Sequence, residues 1–331
     1  MDELLRVKNL KTHFFTKYGV VKAVDGVSFS LNKGETFGIV GESGCGKSIT
    51  ALSILRLIQE PPGRIVDGEI FLEGQDLLKL DKKQMRRVRG KKISMILQDP
   101  LSSLNPVFTI GSQLIEAIRI ENHTKPSGYW EKARKLLEMV QIPSPAVRLK
   151  NWPHQLSGGM RQRIVGAISL ASKPQLLIAD EPTTALDATI QVQFLRLLRE
   201  LQEKTQVGLI IITHDFGIIA RMCQRAAVMY AGKIVEIGPV KELFDRPAHP
   251  YTAGLMRSLP KLEETVERLV SIPGQPPPLD VEIKGCGFYD RCDVGLELCA
   301  NKKPPVVNIN PGHEVRCWNT QRIEKGSKGC Q

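Results

Sequence analysis

The stretch TFGIVGESGCGKSITALSIL, residues 36–55, joins a short apolar run to a helical pattern through a glycine-rich turn. Thr36 to Val40 predict a buried strand, and Pro61-Pro62-Gly63 stop the helix that follows Ser48. Between them, Gly41-Glu42-Ser43-Gly44-Cys45-Gly46-Lys47-Ser48 has the GxxxxGK[ST] spacing of a P-loop. Glycines there let the backbone curl so that its N–H groups face inward, and the new helix adds its positive end. That arrangement suits phosphate oxygens. Lys47 would supply a cation to the β- and γ-phosphates, and the Ser48 hydroxyl a ligand for Mg²⁺. Cys45 reads as a small filler of the loop and not as a nucleophile.

Such a loop needs a carboxylate on the metal side, at the end of a neighbouring parallel strand. KPQLLIADEPTTALD (173–187) supplies one, because Leu176 to Ala179 are apolar on both faces and end in Asp180 and Glu181. Asp180 is expected to hold the Mg²⁺ shell and Glu181 to polarise the attacking water. VGLIIITHD (207–215) is a second buried strand, and His214 at its carboxyl end lies at the ligand edge of an open parallel sheet. There it could bond the γ-phosphate, although a strand-end histidine is more often structural. In LSGGMRQR (156–163), Ser157 can cap a helix that begins at Gly158 and Gly159, leaving a second anion site. Two anion sites per chain fit a dimer in which each chain's serine closes over the other chain's nucleotide.

GESGCGKS, LSGGMRQR, LLIADEP, ALD and ITHD occur in the order of an ATP-binding-cassette (ABC) ATPase, and residues 1–260 resemble that family. The resemblance implies an α/β fold with a RecA-like P-loop ATPase core, an antiparallel β portion and a helical subdomain at about 100–170. It assigns ATP to Gly41, Ser43, Gly44, Cys45, Gly46, Lys47, Ser48 and Ile49. Many family members carry Thr where this chain has Ile49, so an auxiliary hydroxyl contact is missing there. Gln98 in MILQDPLSSLNP is similar to the Q-loop glutamine that links Mg²⁺ to the membrane partner. Tyr18 in KYG matches the aromatic that stacks on adenine, with Phe14 and Phe15 nearby. Asp187 resembles the D-loop aspartate that signals across the dimer, and Ser157, Gly158 and Gly159 the signature that meets the opposite nucleotide.

QDPLSSLNPVFTIGSQLIEAI, PHQLSGGMRQR and HPYTAGLMRSLPKL narrow the resemblance to ATP-binding subunits of bacterial dipeptide and oligopeptide importers. By that resemblance the partners are two transmembrane permease subunits and a second ATPase, either a related chain or a second copy. An extracytoplasmic peptide-binding protein acts indirectly, and the chain sits peripherally on the cytoplasmic face of the plasma membrane. No nucleic acid is expected. The rival reading, a soluble ABC ATPase acting on ribosomes or nucleic acid, draws on the net charge of +11. The run DKKQMRRVRGKK (81–92) reads as a solvated face or, equally, as a lipid- or partner-facing patch. The start, MDELLRVKNL, reads as no secretory signal, and the apolar runs are too short for a membrane span.

The last fifty residues carry Cys286, Cys292, Cys299 and Cys317 in a C-x5-C-x6-C-x17-C pattern. A Pro-rich segment, 261–285, reads as a linker to this small module at 286–331, which has few apolar residues and needs a staple. In a reducing compartment metal is preferred over disulfides. Zinc favours short C-x2–4-C knuckles, none of which occurs here, and the longer spacing suits an iron–sulfur cluster. The peptide-importer resemblance likewise implies a 4Fe–4S cluster, with zinc as the alternative. His313 is read as a turn residue, Cys223 as core and Cys330 as a tail thiol.

Overall fold

The structure is a computed structural model that describes residues 2–98, 103–120, 126–184, 186–259 and 271–319. Ala185 of the ALD motif, residues 261–270 of the expected linker and Cys330 lie outside the described residues. The chain divides into two compact units. One comprises Met1–Arg6, Ser30–Thr36 and Ile70–Thr213, and the other Val7–Phe29, Phe37–Glu69 and His214–Gln331.

Five strands open the chain: β1 (Glu3–Thr16), β2 (Gly19–Asn32), β3 (Thr36–Val40), β4 (Gly63–Leu72) and β5 (Gln75–Asp76). Strands β2, β1, β4 and β5 form a four-stranded sheet in that order.

In the first unit, β6 (Ile93–Ile96), β7 (Leu176–Asp180) and β8 (Gly208–Thr213) run parallel, with Ile178 opposite both Met95 and Ile210. β7 and β8 are buried along their whole length, which their apolar residues on both faces permit. Helices Ile110–Arg119, Tyr129–Met139 and Gly158–Leu170 pack on one another. Helix Ala188–Thr205 buries Phe194, Leu197, Leu198 and Leu201 on one face. On its other face Arg196 pairs with Glu200 and Arg199 with Glu203 at the i,i+4 spacing. The basic run contains helix Lys82–Val88, which buries Met85 and Val88 and exposes Lys82, Lys83, Arg86 and Arg87.

In the second unit β3 runs parallel to β9 (Arg225–Tyr230), which turns at Ala231-Gly232 into antiparallel β10 (Lys233–Pro239). β11 (Val306–Asn310) and β12 (His313–Arg316) make a hairpin, and β12 pairs antiparallel with β10, Glu236 opposite Val315. The cysteine-bearing segment therefore extends the sheet of this unit, where the sequence suggested a separate piece on a tether. Phe288 shares a core with Val40, Tyr230 and Tyr251. Tyr230 and Phe288 meet edge to face with centroids 5.3 Å apart. Burying an aromatic side chain of this kind is worth ~2–3 kcal/mol, a driving force that a segment with so few apolar residues cannot generate alone.

A buried carboxylate fastens the same region. Glu236 accepts from Ala248 N (2.7 Å) and His249 N (2.9 Å), and its Oε1 lies 2.7 Å from His313 Nε2. His313, directly after the turn at Pro311-Gly312, is thus a partner of Glu236 at the start of β12. Cys223 packs against the core as expected, and burial pushes its thiol far up.

Candidate nucleotide site and cysteine cavity

The P-loop connects β3 to helix Lys47–Ile54, and from Phe37 onward this stretch belongs to the second unit. Gly41 and Gly46 have positive φ, and a Cβ on either would fall 2.2 Å from a backbone oxygen, Met229 O or Ala23 O. No other residue fits those positions. Lys47 is almost wholly buried, and its Nζ donates to Gly41 O at 2.8 Å and Glu42 O at 3.0 Å. The ammonium is therefore held over the loop. Gly46 occupies the N-cap without a side-chain cap bond, so the first N–H groups of the helix are not covered by a capping side chain. Cys45 is buried, its thiol pushed up chiefly by desolvation, in keeping with a filler role. Ser43 and Gly44 are exposed, while Ser48 and Ile49 begin the helix half-buried. Tyr18 lies in the turn between β1 and β2, 82% exposed, with Lys17 Nζ 4.8 Å from its ring centroid. His214 is exposed and directly precedes Asp215, which caps helix Phe216–Met222 through Gly217 N at 2.7 Å.

The first unit brings three expected residues to the ends of its parallel strands. Asp180 closes β7 and is buried. Glu181 follows with a left-handed backbone, φ 43°, a conformation that costs a non-glycine residue ~1–2 kcal/mol and that clusters at functional sites. Gln98, just after β6, donates from Nε2 to Glu181 Oε2 at 2.9 Å. Thr184 donates to the same oxygen at 2.9 Å. Sequence reading missed Thr184. The bonds from Gln98 and Thr184 to this one oxygen fix the direction of the Glu181 carboxylate.

Ser157 caps helix Gly158–Leu170 through Met160 N at 3.3 Å, as expected. A Cβ at Gly158 would meet nothing within 4 Å, but one at Gly159 would fall 2.6 Å from Ile190 Cγ2. The second glycine is thus required for close approach to helix Ala188–Thr205. That helix is capped by Asp187, whose Oδ1 accepts from Ile190 N at 3.0 Å.

In the second unit Cys286, Cys292, Cys299 and Cys317 line one cavity, together with His249 and Pro250. Burial pushes the Cys286 thiol up to about 11, and the neighbouring cysteines add to the shift. The thiols of Cys292 and Cys317 are also raised, first by burial. Among the described residues, no three His, Cys, Asp or Glu side chains converge as ligands of a metal ion. The four thiols share this cavity without converging on one point.

Sequence reading also passed over the links between this cavity and the P-loop. The Nδ1 of His249 accepts from Tyr251 N at 3.0 Å, and Tyr251 OH accepts from Glu42 N at 2.9 Å. Arg291, one residue before Cys292, grips the Glu42 carboxylate with both terminal nitrogens, at 2.8 and 3.0 Å. The only local signals were an aromatic after His-Pro and an arginine between cysteines.

Residues 24–184 match the sequence family described as ABC transporter, and residues 235–299 the one described as oligopeptide/dipeptide transporter, C-terminal region. A probable peptide ABC transporter ATP-binding protein of Sinorhizobium fredii is 49% identical, over 97% of this chain and 96% of the relative. A dipeptide transport ATP-binding protein of Bacillus subtilis is 48% identical over 98% and 97%. Among solved structures, a dimeric ATP-binding cassette in a post-hydrolysis state, bound to ADP and Pi, superposes with a TM-score of 0.64 at 25% identity. That likeness covers 71% of this chain and 98% of the cassette. With the P-loop, the signature helix and the strand-end carboxylates in place, this chain belongs to the ATP-binding proteins of the peptide-type ABC transporter family.

Proposed function

We propose that the chain is the ATP-hydrolysing subunit of an ABC importer of dipeptides or oligopeptides. The observation that carries the chemistry is the Gln98–Glu181–Thr184 group at the ends of β6 and β7. Glu181 is the base that polarises water, Gln98 orients it, and His214 bonds the γ-phosphate. The P-loop, from Gly41 to Ile49, holds the triphosphate with Lys47, and Tyr18 stacks on the adenine. Ser48, Asp180 and Gln98 are the residues that would hold Mg²⁺, which supplies charge neutralisation at the β- and γ-phosphates. Ser157, Gly158 and Gly159 meet the nucleotide of a second ATPase chain, and Asp187 lies beside that contact.

Permease docking falls to the region around and after Gln98, where Leu97, Val107, Phe108, Ile120 and Trp130 are exposed apolar side chains. Among the described residues no helix is long and apolar enough to cross a membrane. Two permease subunits then form the channel, and this chain acts from the cytoplasmic face. Peptide selection belongs to an extracytoplasmic binding protein.

The four cysteines of the cavity hold a 4Fe–4S cluster in this reading. Supporting it are the all-thiol donor set, the shared cavity and the absence of a short zinc knuckle. Protein isolated without oxygen should contain about four irons per chain and absorb broadly near ~400 nm, while a colourless chain with one zinc would reject the cluster. For the ATPase itself, Glu181→Gln should leave ATP binding in place and lower phosphate release by about 10²–10⁴-fold. Undiminished hydrolysis would remove Glu181 as the base.

A further inference from the structure

Glu42 puts a full negative charge inside a loop that must receive a polyanion. Its compensation comes from 249 residues away in sequence. Arg291 Nη1 donates to Glu42 Oε2 at 2.8 Å and to Tyr230 OH at 3.2 Å. Its Nη2 donates to Glu42 Oε1 at 3.0 Å and to Ile272 O at 3.4 Å, and its Nε to Pro273 O at 2.9 Å. All five N–H groups of the guanidinium are thereby engaged, and the side chain is only 6% exposed. A lysine could match the charge but not the fork.

Arg291 ends a short 3-10 turn, Tyr289–Arg291, that is flanked by Cys286 and Cys292. The same turn leans on the cysteine cavity through Phe288 and Tyr289. Its position is therefore set by the segment that surrounds the cavity, and its charge is delivered to the P-loop.

We propose that Arg291 is a positioning residue of the P-loop, through which the cysteine-bearing segment sets the affinity of the chain for nucleotide. The proposal rests on the reading of residues 41–49 as the ATP site. Arg291 acts in two ways: it cancels the Glu42 charge beside the phosphates, and it holds Glu42 by a two-point grip. Tyr251 OH holds the backbone of the same residue, so Glu42 is fixed at both ends.

The charge argument orders four proteins. The Glu42–Arg291 pair has no net charge, Arg291→Gln leaves −1, Glu42→Gln leaves +1, and the double substitution returns to zero. Binding of a fluorescent ATP analogue with Mg²⁺ to the full chain should weaken about tenfold in Arg291→Gln, an unpaired charge acting on several phosphate charges. Adding Glu42→Gln should bring it back to within about threefold of the parent, a non-additive cycle. Arg291→Lys, which keeps the charge without the fork, should fall between the parent and Arg291→Gln. A structural defect alone would not be relieved by the second substitution, and melting temperatures identify any variant that fails to fold. The proposal is overturned if Arg291→Gln binds like the parent, or if its loss persists in the double variant. A parent chain that binds no nucleotide would instead reject the ATP site itself.

Discussion

Glu236→Gln tests how the cysteine-bearing segment is attached to the rest of its unit. Glu236 is fully buried on β10, and three donors converge on its two oxygens. Oε1 serves Ala248 N and His313 Nε2, and Oε2 serves His249 N. A glutamine of the same shape must give up one oxygen. The better orientation turns its NH₂ toward His249 N, losing one hydrogen bond to a charged acceptor, worth ~1.5–3 kcal/mol. The two surviving bonds change from charged to neutral and lose about half their strength, roughly another 1–2 kcal/mol together. Relief of the buried carboxylate's desolvation offsets part of this, so the net loss should be about 2–3 kcal/mol. Equilibrium unfolding in urea, followed by circular dichroism and by tryptophan emission, measures it. The emission reports on the segment because Trp318, bonded to Lys302 O at 3.1 Å, follows β12. A loss below about 0.5 kcal/mol, the level of an ordinary surface change, would refute the account of Glu236 as the anchor of β12.

The two glycines of the signature should behave oppositely. Gly159→Ala forces Ile190 aside and should cost ~1–3 kcal/mol in a thermal melt, whereas Gly158→Ala, with open space around it, should be neutral or slightly stabilising. Equal effects would reject close packing as the reason for Gly159. Thr184→Val removes a donor to Glu181 and should lower kcat about three- to tenfold, a hydrogen bond's worth of ~1 kcal/mol, with little change in KM. A rise in KM alone would place Thr184 in binding instead.

Much of the candidate site was legible because its chemistry is local in the chain. The P-loop glycines carry their spacing within eight residues, and the structure supplies the reason in the 2.2 Å approaches at Gly41 and Gly46. The capping role of Ser157 follows from a polar residue placed just before a helix. β7 and β8 were readable as buried strands because they are apolar on both faces. Arg291 was not readable. An arginine between cysteines has no periodicity or spacing that points to a carboxylate at Glu42. The Glu236–His313 pair was unreadable for the same reason, since the two lie 77 residues apart and only strand pairing brings them together.

The sequence by itself determined the strand-loop-helix phosphate cradle, the carboxylate pair at the end of β7, the signature cap and the four cysteines. These are patterns of neighbouring residues governed by backbone conformation and hydrophobic period. Only the tertiary structure decided which oxygen Gln98 and Thr184 share, and that the cysteine segment extends the sheet at β10. It alone placed Arg291 on Glu42. Those are long-range pairings of buried polar groups, selected because each would be costly to leave unpaired, and nothing in the local sequence records the partner.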